Sequence, residues 1–325
     1  MKIAILGAGK IACKMAQTLN MMNDEKYELY AVGSSSLEKS KDFAKKYNIK
    51  KAYGNYEELA KDSEIDLVYI STIHTMHFEH AMLCLENGRN VLVEKPFAVN
   101  KKQAQIMFDK AKEKNLFICE AMWTRFMPSG KYLEKIAADK VIGDVSSAQA
   151  TIGYNIADVE RMKNPALAGG TLLDVGIYAL HFAMMIFGND FVSCNGECVH
   201  LESGVDAAET MTMKWRNCIA SLHATMFSET GNPGSVFGSE GYLKVDNINN
   251  PKAITRYDNG NNLVETVDFS NQLTGYEYEI IGSCRAIENG EIECAEVPHS
   301  LTLQVMETMD KLRYDWGVKY PFEDR

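Results

Sequence analysis

At 325 residues, 46% of them apolar and 24% charged, the chain has the length for two domains and the composition of a globular protein, which excludes disordered and fibrous classes. Its net charge of −10 argues against nucleic acid and anionic membranes as partners, since both select a basic face, and favours a small soluble substrate. No uninterrupted apolar run reaches the ~18 residues of a membrane span, and the first strand starts at residue 2 with no room for a signal peptide, so a cytoplasmic protein is expected.

The first predicted element is the strand Ile3-Ala4-Ile5-Leu6, which ends in the turn Gly7-Ala8-Gly9 and passes into a helix carrying Ile11, Met15 and Leu19 on one face. The spacing is that of a dinucleotide cradle. Gly7 takes the tight turn, Gly9 lets backbone approach a pyrophosphate, Ala12 lets the helix lie close to the sheet, and the N–H groups at Lys10 and Ile11 are offered to the phosphates. A second strand, Glu28 to Gly33, leads into Ser34-Ser35-Ser36-Leu37-Glu38-Lys39, about 20 residues past the turn, where the adenosine ribose sits in such folds. Hydroxyls lead, Lys39 lies one turn into the next helix, and Glu38 is the only acid. That pattern favours a 2′-phosphate, hence NADP over NAD, with Ser34 and Lys39 as its contacts; an N-cap serine and a solvated lysine fit it equally.

Asp66 to Thr72 reads as a buried parallel strand, Thr75 to Asn87 as a helix closed by Gly88, and Asn90 to Glu94 as the next strand. Asn100 and Gln103 form a capping-box pattern for a helix ending near Lys114, and Leu116 to Ala121 adds a strand. Beyond Met122 the alternation changes: segments 145–154, 207–215 and 218–227, with Asn259-Gly260 as a turn, indicate an antiparallel sheet. The expected fold is α/β, with a dinucleotide-binding domain over 1–121, a second domain over 122–325, and the cofactor in the cleft between them. No metal site is predicted. His74, His77 and His80 line one side of a helix without a fourth ligand, Cys194-x3-Cys198 has no second pair, and the eight cysteines read as reduced, packed thiols.

Two places carry candidate chemistry. Glu94-Lys95-Pro96 falls at the carboxyl end of a parallel strand, the edge where ligands bind in doubly wound sheets, and the proline fixes the geometry around Lys95. In Thr171-Leu172-Leu173-Asp174-Val175-Gly176-Ile177-Tyr178, Thr171 is placed to cap a helix running to Phe187 and stopping at Gly188. Asp174 and Tyr178 then share a face of an otherwise apolar helix, as an acid/base phenol with its carboxylate or, equally by spacing, as a core tyrosine bonded to an aspartate.

Together, the glycine turn, Glu94-Lys95-Pro96 and Asp174-x3-Tyr178 resemble the Gfo/Idh/MocA oxidoreductases. Glu120 to Phe126, Asn164 to Gly170 and Tyr320-Pro321-Phe322-Glu323 resemble the branch that contains dimeric dihydrodiol dehydrogenase. The resemblance implies a Rossmann domain followed by an α/β domain on a large, mostly antiparallel open sheet whose exposed face makes a homodimer. It implies an NAD(P)-dependent dehydrogenase in which Lys95 and Tyr178 are the catalytic pair and Asp174 orients the substrate. It further implies Gly7, Gly9, Lys10, Ile11, Ser34, Lys39, Thr72, His74, His77, Glu94, Lys95, Trp123 and Arg125 as cofactor contacts, with His80 a helix-surface residue. Where relatives often grip the 2′-phosphate with an arginine, this chain has Ser35, and Lys39 is expected to compensate. Other relatives cleave glycosides by transient oxidation or only sense the cofactor. The intact Lys95, Asp174 and Tyr178 argue against the sensor.

Overall fold

A computed structural model describes residues 1–323, which divide into two compact units: 1–123 with 273–304, and 124–272 with 305–323. The first unit is built on a six-stranded sheet of β1 (Lys2–Leu6), β2 (Glu28–Gly33), β3 (Lys51–Tyr53), β4 (Leu67–Ile70), β5 (Asn90–Glu94) and β6 (Ile118–Ala121). The strands run in the order β3-β2-β1-β4-β5-β6, all parallel. Ile3 to Leu6, Leu67 to Ile70 and Val91 to Val93 are fully buried, as strands covered by helices on both faces must be. Asparagine punctuates this unit. Asn55 and Asn100 cap helices through their side chains, and Asn23, Asn48 and Asn115 end helices in the left-handed conformation. The Asn100–Gln103 box forms as the sequence predicts, the Gln103 N–H donating to Asn100 Oδ1 at 3.0 Å.

The predicted division at 121/122 assigns residues 273–304 to the second domain, whereas the structure packs them with the first unit. The helix Glu277–Glu288 buries Ile280 and Cys284 there. Thr274 Oγ1 meets Thr18 Oγ1 at 2.7 Å, Thr302 Oγ1 donates to Glu120 Oε2 at 2.9 Å, and the Ile118 N–H donates to Ile292 O at 3.0 Å. These are long-range polar pairings, invisible to local periodicity.

The second unit carries an eight-stranded sheet of β7 (Val145–Gly153), β8 (Ser193–His200), β9 (Asp206–Lys214), β10 (Ile219–Thr225), β11 (Gly234–Gly238), β12 (Gly241–Val245), β13 (Ala253–Tyr257) and β14 (Leu263–Asp268). Their order is β14-β13-β12-β11-β7-β10-β9-β8, and every neighbouring pair is antiparallel except β7 with β10. The helix Ile177–Phe187 packs on β7 and β10 and is buried along nearly its whole length. The stretch Pro165–Phe187 is long and apolar enough to cross a membrane by composition, but 94% of its 18-residue apolar window is buried inside the protein, as befits a core segment.

Candidate functional site

In the first unit the strand order reverses between β1 and β4, and the glycine turn leaves β1 at that point. Gly7 has φ +108°, and a Cβ there would lie 3.1 Å from the Ser71 carbonyl, so only glycine brings the two strand ends this close. Gly9 N-caps the helix Lys10–Met22 without any side-chain bond, and nothing lies within 4 Å of where its Cβ would be. Exposed Lys10 and half-buried Ile11 form the first turn. An uncapped helix N-terminus facing open space fits a pyrophosphate.

The serines after β2 are arranged differently from the sequence expectation. Ser34 is 2% exposed; its hydroxyl donates to Ser36 O at 2.8 Å and pairs with Ser40 Oγ at 2.8 Å, so it is turned inward, away from any phosphate. The N-cap of the helix Leu37–Tyr47 is Ser36, whose Oγ accepts from the Lys39 N–H. Ser35, Ser36, Leu37, Glu38 and Lys39 are all exposed here.

The loops after β4 and β5 are fastened by histidines. His77 is fully buried, with Nδ1 2.9 Å from Pro96 O and Nε2 3.1 Å from Thr72 O, so neither ring nitrogen is left for a cofactor. Burial pushes its pKa down to about 4 against the two carbonyls that raise it, and in the neutral ring one nitrogen donates to its carbonyl while the other faces the second oxygen without a proton. His80 lies in the core rather than on the helix surface: it is 3% exposed, packs against the Tyr56 ring in a tilted pair and bonds Thr72 Oγ1 at 3.0 Å, with burial holding its pKa at about 4. His74 is half-buried and meets the His77 ring edge-on. Lys95, half-buried, follows β5 with a cis peptide to Pro96. Its neighbour Glu94 accepts from the Tyr69 hydroxyl and, through Oε2, from the Lys95 N–H at 3.2 Å. Trp123, 7% exposed, stacks on Tyr276 with ring centres 4.3 Å apart.

In the second unit the helix carrying Asp174 and Tyr178 does not start as the sequence predicts. Thr171 gives no cap; its hydroxyl donates to Ala207 O at 2.8 Å, and the Leu172 N–H is taken by Asp206 Oδ2 at 2.6 Å. Residues Leu172–Gly176 form a π turn ahead of the α-helix Ile177–Phe187, a local widening that is frequent at functional sites. A Cβ on Gly176 would fall 2.4 Å from Glu209 Oε1. Among the described residues neither carboxyl oxygen of Glu209 has a hydrogen-bond partner, and burial, then the charge of Asp206, raises its pKa well above its ordinary value. Asp174 and Tyr178 are 7% and 8% exposed. Arg161 grips Asp174 with two prongs, Nη1 to Oδ1 and Nη2 to Oδ2, both at 3.0 Å.

Sequence reasoning missed Arg161, Asp206 and Glu209, because each acts on the helix from a distant segment. Arg125, expected in the ligand pocket, is 4% exposed and committed to the core, with Nε on His181 Nδ1 at 2.8 Å and Nη1 on Glu134 at 3.1 Å. Burial and the Arg125 charge hold His181 well below its usual pKa, as an acceptor. Among the described residues no three His, Cys, Asp or Glu side chains are grouped to hold a metal ion.

Residues 1–121 match the family profile described as "Oxidoreductase family, NAD-binding Rossmann fold", and residues 131–244 match the "GFO/IDH/MocA C-terminal domain". The chain belongs to the Gfo/Idh/MocA oxidoreductase family. Among relatives of this Gfo/Idh/MocA enzyme, trans-1,2-dihydrobenzene-1,2-diol dehydrogenase of Danio rerio is 33% identical over 331 residues, 97% of each chain. Similar solved structures include a 3-ketoreductase from Actinomadura kijaniata in complex with NADP and TDP-benzene (TM-score 0.85, 21% identity, 97% of each chain). Another is a levoglucosan dehydrogenase in complex with NADH and levoglucosan (TM-score 0.86, 17% identity, covering 98% of this chain and 97% of that one).

Proposed function

We propose that this oxidoreductase uses NADP to move a hydride to or from a carbinol carbon of a vicinal diol, hydroxyketone or cyclic sugar derivative. The observation that carries the reading is the whole-length likeness to proteins named as diol dehydrogenases, joined to a phenol and a clamped carboxylate on one buried helix. When bound, the nicotinamide supplies the hydride acceptor or donor. In the oxidative direction Tyr178, as phenolate, takes the substrate hydroxyl proton; in the reductive direction it returns that proton to the oxygen. Lys95 supports the transfer by binding the substrate, and Asp174, fixed by Arg161, accepts from a neighbouring hydroxyl. Incubation with NADP⁺ and pools of sugars, polyols and trans-diols should give nicotinamide reduction in at least one pool. Silence in every pool despite tight cofactor binding overturns the proposal.

NADP over NAD rests on Lys39, exposed one turn into the helix after β2. Lys39→Glu should weaken NADPH binding about tenfold while leaving NADH binding unchanged, as a lost charge-assisted phosphate contact requires. Equal losses for the two cofactors would remove the assignment. The proposed homodimer is supported by the open face of the large sheet. There Ile219, Ser147, Phe237, Tyr242 and Tyr257 pair across successive strands in one row, with Tyr242 stacked on Tyr257 at 4.9 Å. Sedimentation should give twice the chain mass, and Tyr242→Glu should shift it toward one; a single-chain mass for the wild type would exclude this assembly.

A further inference from the structure

β7 ends at Gly153, and Tyr154 turns out of the sheet with its N–H on Thr225 O, the end of the parallel strand β10, at 3.1 Å. At the same end of the sheet β9 begins with Asp206, whose carboxylate receives the start of the π turn. The Tyr154 phenol therefore stands at the end of the sheet where Asp174 is presented, and the Asp174 charge acts on it.

Its hydrogen bonds are uneven. The phenol oxygen accepts from Asn232 Nδ2 at 2.9 Å and from Asn249 Nδ2 at 2.8 Å. The Asn232 amide has only one workable orientation, because its Oδ1 accepts from the Gly153 N–H at 2.9 Å and from Thr230 Oγ1 at 3.0 Å. A phenol has two acceptor sites and one proton. Both acceptor sites are filled, while no described residue accepts the proton. The side chain is half-buried, and burial raises its pKa beyond what the two amides lower, so it remains a donor at neutral pH.

We infer that Tyr154 is a specificity-determining residue of the proposed site, its O–H donating to a substrate oxygen beyond the reacting carbon. A substrate hydroxyl can accept from Tyr154 while donating to Asp174, so the pair selects an oxygen-rich ring, a cyclic polyol or sugar derivative, over a hydrocarbon ring bearing only the reacting diol. This inference rests on the proposed function and is tested separately from it.

The experiment compares a turned-over polyol with its monodeoxy analogues in wild type and Tyr154→Phe. Wild type should discriminate against one analogue about tenfold or more in kcat/KM, and the variant should lose about that factor on the parent substrate, mainly through KM, so that the discrimination collapses toward one. A purely structural role would lower both substrates equally, and an undiminished ratio overturns the inference. If the phenylalanine variant fails to fold with two stranded amides, Asn249→Ala, which keeps the phenol but loosens its aim, should reduce the same ratio; an unchanged ratio there also overturns it. Preference of the wild type for a hydrocarbon-ring trans-diol over every polyol overturns the inference while leaving the proposed function standing. No turnover in any pool removes both.

Discussion

The Tyr178→Phe variant should turn over its substrate about 10²-fold more slowly or worse while binding NADPH as tightly as the wild type. Tyr178 is 8% exposed on a helix whose neighbours are all buried, so its ring is held by packing that phenylalanine reproduces at nearly the same volume. Only the phenol oxygen is lost. A group that acts in the transition state lowers kcat and kcat/KM together, whereas a group that merely binds substrate raises KM. The cofactor cradle at Gly7 and Gly9 is built from residues of the first unit, whereas Tyr178 belongs to the second. Steady-state kinetics beside a fluorescence titration of NADPH separates these outcomes, and wild-type turnover in the variant would assign the proton to another residue.

The second large effect is on stability in acid. His77 is fully buried with its pKa held at about 4, against ~6.5 in the unfolded chain. Above pH 6.5 both states carry the neutral ring, and the stability this confers is fully present. As pH falls from 6.5 toward the folded pKa, the unfolded chain binds a proton that the folded chain refuses, and the stability is lost, amounting to about 3 kcal/mol for this residue. His80 acts in the same direction. Glu209 and Glu279 act oppositely: their folded pKa values are raised by burial, so their contribution is present at low pH and is lost as pH rises through those values. Denaturant unfolding of the wild type and His77→Asn over pH 7 to 4.5 isolates the histidine. The wild type should lose stability more steeply by up to one proton, and parallel curves would show that His77 does not carry the effect.

Much of this was legible in the sequence because the signals were local. An apolar run followed by two glycines at the right spacing fixes strand, turn and helix start within a dozen residues, and Asn100 with Gln103 caps its own helix. The proposed site was named from local motifs at Lys95, Asp174 and Tyr178. It was not legible where a distant side chain decides the geometry. Asp206, 34 residues beyond Leu172, takes the Leu172 N–H at the helix start that Thr171 was expected to cap, and Glu209 underlies Gly176 where the π turn forms. Ser34 illustrates a different failure. A serine at a strand end suits a phosphate and an internal bond equally, and only the proximity of Ser40 shows which one it makes. Arg125 and Arg161 had the same residue type and nearly opposite outcomes, the first closed into a core with His181 and the second half-exposed against Asp174.

The return of residues 273–304 to the first unit bears on how the protein is made. Strand β6 exposes its Ile118 N–H and the Glu120 carboxylate until Ile292 and Thr302 arrive, more than 170 residues later in synthesis. A nascent chain that has cleared the ribosome through its last parallel strand therefore holds a sheet whose edge is still unsatisfied. The nucleotide-binding unit therefore reaches its finished form only after residue 304 has emerged, and an excised fragment ending at residue 121 lacks the segment that closes it.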